Sequence, residues 1–408
     1  MAGRRKRKKH IFPKIILFLC VIAVAAGAVT AAGWSLPRLF RAVGETVNTA
    51  AQPQAEFPEL TVSVEEVDGS FYYQQLSEKE QQIYREILQA VQEMQETVQI
   101  HAGKDDDAAK VYEYLLYDRP ELFWCDGSSQ MTVYEEYTEL DPGYSCTKAE
   151  KEQKQREIDQ ASEECLAGIG ADASEYEKIK YVYEYLVQTV DYDEGAPDNQ
   201  NIYSALAGKR SVCAGYSRAA QYLLEKMGIA CIYVTGNIRG QGAHAWNIVN
   251  CEGTYYQMDV TFGDPVFLEA ESGESVPHNS INYDYLCCTD EALSSDHIQD
   301  DFVPYPVCDS DDLDYYRMNG MYYDSFDADA ILRDMNESIY AGEESFVCKF
   351  SSDDVYSMAR DEVIDELIPL AAENLADIYG LSRVRYTYVD DGTHRRVSVF
   401  WDYGESGT

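Results

Sequence analysis

Three residues of this 408-residue chain have the types that nucleophilic acyl transfer requires. Cys213 stands where the loop Leu206-Ala-Gly-Lys-Arg-Ser-Val212 meets a helix expected over 214–227 and stopped by Gly228. A thiol there faces the unpaired N–H groups and positive dipole end of the helix, which favour thiolate over thiol. The same amides can hold a developing oxyanion. His244 opens the run His-Ala-Trp-Asn-Ile-Val-Asn250, read as a strand, and Asp259 lies in a second strand expected over 254–260. Together they supply a nucleophile, a base, and an acid that fixes the base's tautomer. The thiolate would attack an amide or ester carbonyl and His244 would protonate the leaving group. Water or an amine would then resolve the acyl-enzyme.

The elements around these residues must bring them together. Ala219, Ala220, Leu223 and Leu224 form the buried side of the helix and hold the cysteine on a rigid element. Asn250-Cys-Glu-Gly253 punctuates the two strands. A two-residue turn at Cys251-Glu252 sets Val249 against Thr254, Ile248 against Tyr255, Trp246 against Gln257, and His244 against Asp259. Directly opposed residues have Cβ atoms roughly 4.5–5.5 Å apart, within reach of a carboxylate–imidazole hydrogen bond. A three-residue loop would slip that register. A lone cysteine is more often a small core hydrophobe. Of the six histidines, however, only His244 sits on a strongly patterned strand with a carboxylate facing it. Trp246, Tyr255 and Tyr256 are assigned mainly to core packing and pocket walls.

The fold class expected is α+β, in several units. Residues 1–14 form a basic tail, with Arg4, Arg5, Lys6, Arg7, Lys8 and Lys9 directly before an uncharged apolar run at 15–33. At 1.5 Å per residue this run spans about 28 Å, close to the ~30 Å core of a bilayer. It predicts a transmembrane anchor at 15–34 with the N-terminus inside and the rest exported. The alternative is a cleaved signal peptide and a secreted product. A tether over 35–59 precedes a helical N-terminal region over 60–165, where Ser77 with Glu80 forms a capping-box pattern. The catalytic unit is placed at 166–306. A small α/β module follows at 307–408, with a helix over 355–379 and a hairpin turning at Asp391-Gly392.

The net charge is −39, and removing the nine Lys/Arg of residues 1–41, which hold no Asp or Glu, leaves −48. Such a body repels phosphate backbones, so nucleic acid is not an expected partner. Eleven cysteines show no CxxC pair and no zinc-type Cys/His spacing. No metal and no cofactor are expected, and disulfide connectivity stays open.

The runs Ser211-Val-Cys-Ala-Gly-Tyr-Ser-Arg218, Gly228-Ile-Ala-Cys-Ile-Tyr-Val-Thr-Gly236, His244-Ala-Trp-Asn247 and Tyr256-Gln-Met-Asp-Val-Thr261 resemble, in order and spacing, the core of the transglutaminase-like superfamily. The resemblance covers about 176–265. It implies a papain-like thiol fold with a Cys-His-Asp triad, carried here by Cys213, His244 and Asp259. It also implies a cysteine peptidase, amide hydrolase or acyltransferase acting on protein or peptide amides, which the N-terminal segment would place at the cell envelope. The aromatic that such proteins often hold shortly before the Asp is Tyr256 here rather than Trp. Gln200 and Tyr203 are candidates for an additional oxyanion donor, and Tyr216 and Trp246 for the substrate pocket. The alternative is a noncatalytic surface adaptor built on the same fold.

Overall fold

The computed structural model describes residues 43–47, 55–264 and 281–403. The basic tail, the apolar run at 15–34 and most of the expected tether lie outside the described residues. Among the described residues, no helix is long and apolar enough to cross a membrane.

The first unit contains β1 (Val43–Val47), α1 (Phe71–Gln74), α2 (Glu78–Gln92), β2 (Val98–Ile100), α3 (Ala108–Asp118), β3 (Cys125–Val133) and β4 (Thr138–Tyr144). At the start of α2, the Ser77 side chain accepts from the Glu80 N–H while Glu80 caps the Ser77 N–H. Ile83, Ile87, Leu88 and Val91 form its buried face. α3 stops at Asp118, before Arg119-Pro120, where the backbone ahead of a proline leaves the helical region.

The region expected to be helical also carries a four-stranded sheet, ordered β1-β3-β4-β2. Its β1 falls within the expected tether and pairs in parallel with β3. The β3 segment Cys-Asp-Gly-Ser-Ser-Gln-Met-Thr-Val is polar, half-exposed and irregular in register, so its two-residue period is faint.

The second unit runs through α4 (Lys148–Leu166), α5 (Glu175–Thr189), β5 (Asp191–Tyr192), α6 (Ile202–Leu206), β6 (Arg210–Ser211) and α7 (Cys213–Lys226). It continues with β7 (Cys231–Ile238), β8 (Gly242–Cys251), β9 (Thr254–Met258), α8 (Val260–Gly263), α9 (Asp290–Leu293) and β10 (His297–Gln299). The sheet order is β10-β7-β8-β9, antiparallel throughout, with α7 packed on β7 and β8. Ala219, Ala220, Leu223 and Leu224 are fully buried on α7. The chain leaves α7 through Gly228 at φ +81°, a conformation that costs glycine nothing. The first two units share one continuous apolar core, and the Tyr72 hydroxyl donates to the Tyr233 carbonyl across it at 2.6 Å.

The hairpin β8–β9 corrects the expected register. Its turn residues are Glu252 and Gly253, at φ +52° and +89°, and Cys251 pairs with Thr254. Two successive positive φ values make a primed turn, and the glycine takes the second of them without strain. Trp246 and His244 are therefore not opposite Gln257 and Asp259: Ile248 pairs with Gln257, and the ladder ends at Asn247–Met258. The offset is two residues, so every side chain keeps its face.

The third unit comprises α10 (Tyr315–Met318), β11 (Tyr322–Tyr323), α11 (Ala328–Ala341), β12 (Ser345–Phe350), α12 (Asp353–Glu362), α13 (Ile368–Tyr379), β13 (Arg385–Asp391) and β14 (Arg396–Asp402). Its sheet is ordered β11-β12-β14-β13, and it has an apolar core of its own built on residues such as Met335, Phe350, Val363 and Trp401. The single helix expected over 355–379 contains a π turn at Val363–Leu367, just before Pro369. A wider turn accommodates the ring that would otherwise clash with the carbonyl four residues back.

Gly236 lies opposite His244 on β7, and a Cβ there would sit 2.3 Å from the Ile298 carbonyl oxygen and 2.6 Å from the Trp246 ring. Neither neighbour can move cheaply, because one is backbone and the other is fully buried. Gly236→Ala is expected to lower stability by about 1–3 kcal/mol. The measurement is urea unfolding, read as a fall in midpoint at unchanged slope.

Candidate active site

Cys213 is the first residue of α7, and the preceding Val212 offers no side-chain cap. The N–H groups of Cys213 and Ala214 therefore have no acceptor within the helix and point toward the end where the thiol sits. The loop behind is braced: Val212 N–H donates to the Asn199 carbonyl at 3.1 Å, and the Ser204 and Ser211 hydroxyls lie 2.7 Å apart. Gly215 has the Ser211 hydroxyl and the Asn199 and Asn201 carbonyls where a Cβ would project, which is why this turn of helix can press against that loop.

The helix and sheet are tied in register. The Ser217 hydroxyl sits 2.9 Å from the Cys213 carbonyl and 2.8 Å from the Ala245 carbonyl, next to His244. The Asn247 side-chain amide donates to the Ser217 carbonyl at 3.1 Å. These bonds hold β8 at a set height along the first turns of α7.

Asp259 follows β9 and caps α8. Its Oδ1 accepts the N–H groups of Thr261 at 2.8 Å and Phe262 at 3.2 Å. Its Oδ2 accepts the Nε2–H of His244 at 2.6 Å. Although not opposed in the ladder, the two share a face on the diagonal, where the helix cap turns the carboxylate back toward the ring. A carboxylate can only accept here, so His244 carries its proton on Nε2 and presents Nδ1 for the thiol. The Cys213 side chain lies close enough to the same imidazole to raise its proton affinity.

The thiol is partly exposed, whereas His244 is 5% and Asp259 0% exposed. Trp246 lies alongside the imidazole with centroids 6.1 Å apart, and Phe262 meets it edge-on at 5.3 Å. Burial disfavours a charged ring, but the Asp259 carboxylate and the Cys213 side chain more than offset it and hold His244 well above the usual imidazole range. Burial likewise opposes ionised Asp259, yet His244 and a second imidazole, His297, keep it well below the usual carboxylate range.

The structure thus brings Cys213, His244 and Asp259 together. The other candidates from the sequence are dispersed. Gln200 lines a cavity of about 270 Å³ between α3 and α7, together with Tyr112, Leu116, Ala214, Arg218 and Tyr233. The Tyr203 hydroxyl instead donates to Glu157 at 2.8 Å, on the α4 side. Tyr216 is fully buried with its hydroxyl between the Val190 carbonyl and the Asp264 carboxylate, 2.5 and 2.9 Å away, so it is engaged away from the thiol. Trp246 is fully buried with its indole N–H on Gln257 at 2.8 Å, and serves as the wall behind His244.

Sequence reasoning missed His297. It lies on a three-residue strand 38 positions beyond Asp259, and no local periodicity marks it.

Two groups among the described residues bring three metal-type ligand atoms within 4.8 Å of one another: His244, Asp259 and His297, and Asp284, Asp391 and His394. In the first, the ligand atoms are already hydrogen-bonded to each other at 2.6 and 2.9 Å, leaving no room between them for an ion. In the second, Arg396 lies 3.0 Å from Asp284 and Lys349 2.5 Å from it, so cationic side chains already balance the carboxylates.

Comparison with known proteins gives one family model and several solved structures. Residues 163–260 match the family model described as the Transglutaminase-like superfamily. Among solved structures, the chain is similar to a TGase, at 16% identity and a TM-score of 0.25, over 33% of this chain and 44% of that one. It is also similar to a proposed cysteine protease from Cytophaga hutchinsonii, at 14% identity and a TM-score of 0.24, over 33% of this chain and 57% of that one. The chain thus spans only about half the length of these structures. No curated protein matches it. Cys213, His244 and Asp259 all lie within the stretch that matches the transglutaminase-like superfamily.

Proposed function

We propose that the chain is a cysteine enzyme that forms a thioacyl intermediate on protein or peptide amides, acting outside the membrane from an N-terminal anchor. The observation that carries this reading is the 2.6 Å hydrogen bond between the buried Asp259 and His244, with a partly exposed helix-end cysteine beside the same ring. The anchor rests on the basic block and the uncharged run at 15–33.

In the first step the Cys213 thiolate attacks the amide carbon, and the carbonyl π electrons move to oxygen. The N–H groups of Cys213 and Ala214 receive that oxyanion, with the Gln200 amide as a further donor from the adjoining cavity wall. The intermediate collapses as the C–N bond breaks and His244 gives its Nδ1 proton to the leaving amine. Neutral His244 then takes a proton from water or from an acceptor amine, which attacks the thioester and releases Cys213 as thiolate. Hydrolysis and amide transfer differ only in that last nucleophile. The cavity beside Ala214, walled by Tyr112, Leu116 and Tyr233, suits a side chain of the acyl donor.

Cys213→Ala is expected to abolish the acyl-enzyme trapped from a cell-envelope extract, and His244→Ala to slow its formation by ~10²–10⁴-fold. A biotinylated primary amine added to the same reaction separates transfer, seen as labelled product, from hydrolysis. An unchanged cellular phenotype for both variants would instead favour an adaptor.

Iodoacetamide mapping gives a substrate-free check. Cys125 and Cys146 are the other partly exposed cysteines among the described residues, and burial pushes both thiols up, Cys125 to about 12. Cys213 is expected to alkylate at least ~10-fold faster than either at pH 7. Equal rates at the three sites would count against the proposal.

Because His244 is held above the ordinary imidazole value, its ring keeps the proton that the leaving amine needs until pH climbs through that raised value. Activity should therefore persist well above pH ~6.5 before an alkaline fall. A pH–rate profile measures this.

A further inference from the structure

Asp259 Oδ2 has a second partner that the Cys-His-Asp mechanism does not use. The His297 Nε2 lies 2.9 Å from it, while the His297 Nδ1 lies 2.5 Å from Asp296 Oδ1. Both neighbours are carboxylates, which accept and do not donate, so the ring gives a proton to each and is an imidazolium. Burial opposes that charge, but the hydrogen bonds to Asp259 and Asp296 outweigh it and raise the His297 value.

The ring is 3% exposed and enclosed by Phe262, Trp246 and Tyr285, at centroid distances of 4.7, 5.1 and 5.6 Å. The titratable groups that face it are His244 from β8, Asp259 at the head of α8, Asp296 at the start of β10 and Tyr285. The Tyr285 hydroxyl in turn bonds Asp296 and lies 3.2 Å from the His394 Nε2 of the third unit.

We propose that His297 is a positioning residue of the thiol site, pinning the Asp259 oxygen that orients His244 and sharing its negative charge. The proposal rests on the thiol-enzyme reading above. With Oδ1 tied to two backbone N–H groups, Oδ2 is the only oxygen able to serve His244, and His297 stops it from rotating away. The imidazolium also draws on the same carboxylate, so it limits how strongly Asp259 retains the His244 proton. A buried neighbour that bonds an orienting group in this way commonly tunes reactivity 10- to 100-fold, as seen for groups behind metal ligands.

The test is Cys213 alkylation by iodoacetamide as a function of pH, on the full chain, which needs no substrate. His297→Gln can keep an N–H on Asp259 but loses the charge. It is expected to move the alkaline inflection, where His244 loses its proton, upward by about 0.5–1 pH unit. His297→Ala removes the bond as well, and is expected to slow Cys213 alkylation at pH 7 by about 10-fold or more, with partial rescue in the Gln variant.

A merely structural histidine would lower the melting temperature and leave the inflection in place. Should the Ala variant fail to fold, the Gln variant decides by its inflection alone. Rapid alkylation in wild type with an unmoved inflection in His297→Gln overturns the proposal while sparing the thiol-enzyme reading. Wild-type Cys213 no faster than Cys125 and Cys146 overturns both.

Discussion

A fully buried carboxylate, Asp259, is the constraint around which the second unit is arranged. Isolated in an apolar interior, its charge would cost far more than any one hydrogen bond returns. It is tolerated because four donors converge on it: two backbone N–H groups from α8 and two imidazoles from β8 and β10. Each donor imposes a demand on the fold. α8 must start immediately after the carboxylate, and β10 must pair with β7 so that His297 arrives from the far side. Gly236 must be bare so that the Ile298 backbone of β10 and the Trp246 ring can both press against it. The carboxylate thus specifies local structure on three elements, a role for buried charges that is separate from any net stabilisation.

The same arrangement separates burial from access. The Asp259 carboxylate and the His244 ring are sealed behind Trp246 and Phe262, where low polarity strengthens their interaction, while Cys213 is partly exposed. The first unit reaches that surface as well, since α3 and the α7 face next to Cys213 enclose the same cavity. Because the first two units share one apolar core, that wall is set by packing and not by a movable hinge.

Much of this was legible in the residues. The helix behind Cys213 declared itself through small and leucine residues at helical spacing and through Gly228. His244 declared itself by heading a strand with a recognisable partner. The hairpin register was misjudged because Glu252 adopts a positive φ that nothing in its side chain announces, and the turn moved one residue toward Gly253. The error was harmless for the site, since an offset of two preserves the face and the cap of α8 closed the remaining distance. The sheet of the first unit was hidden for a different reason. Its strands are short or polar, β1 comes from a segment that reads as linker, and pairing partners lie far apart in sequence. His297 was invisible on the same grounds, because its meaning lies in a contact and not in a pattern.

The third unit meets the second mainly through polar groups. Lys349 and Arg396 converge on the buried Asp284, the Tyr283 and Tyr315 rings stack beside them at 3.6 Å, and the apolar cores on the two sides are not continuous. Hydrocarbon seams are sticky when opened, but a seam of lysine, arginine and aspartate rehydrates readily. Proteolytic release at this joint would therefore shed a well-solvated fragment and not an aggregating one.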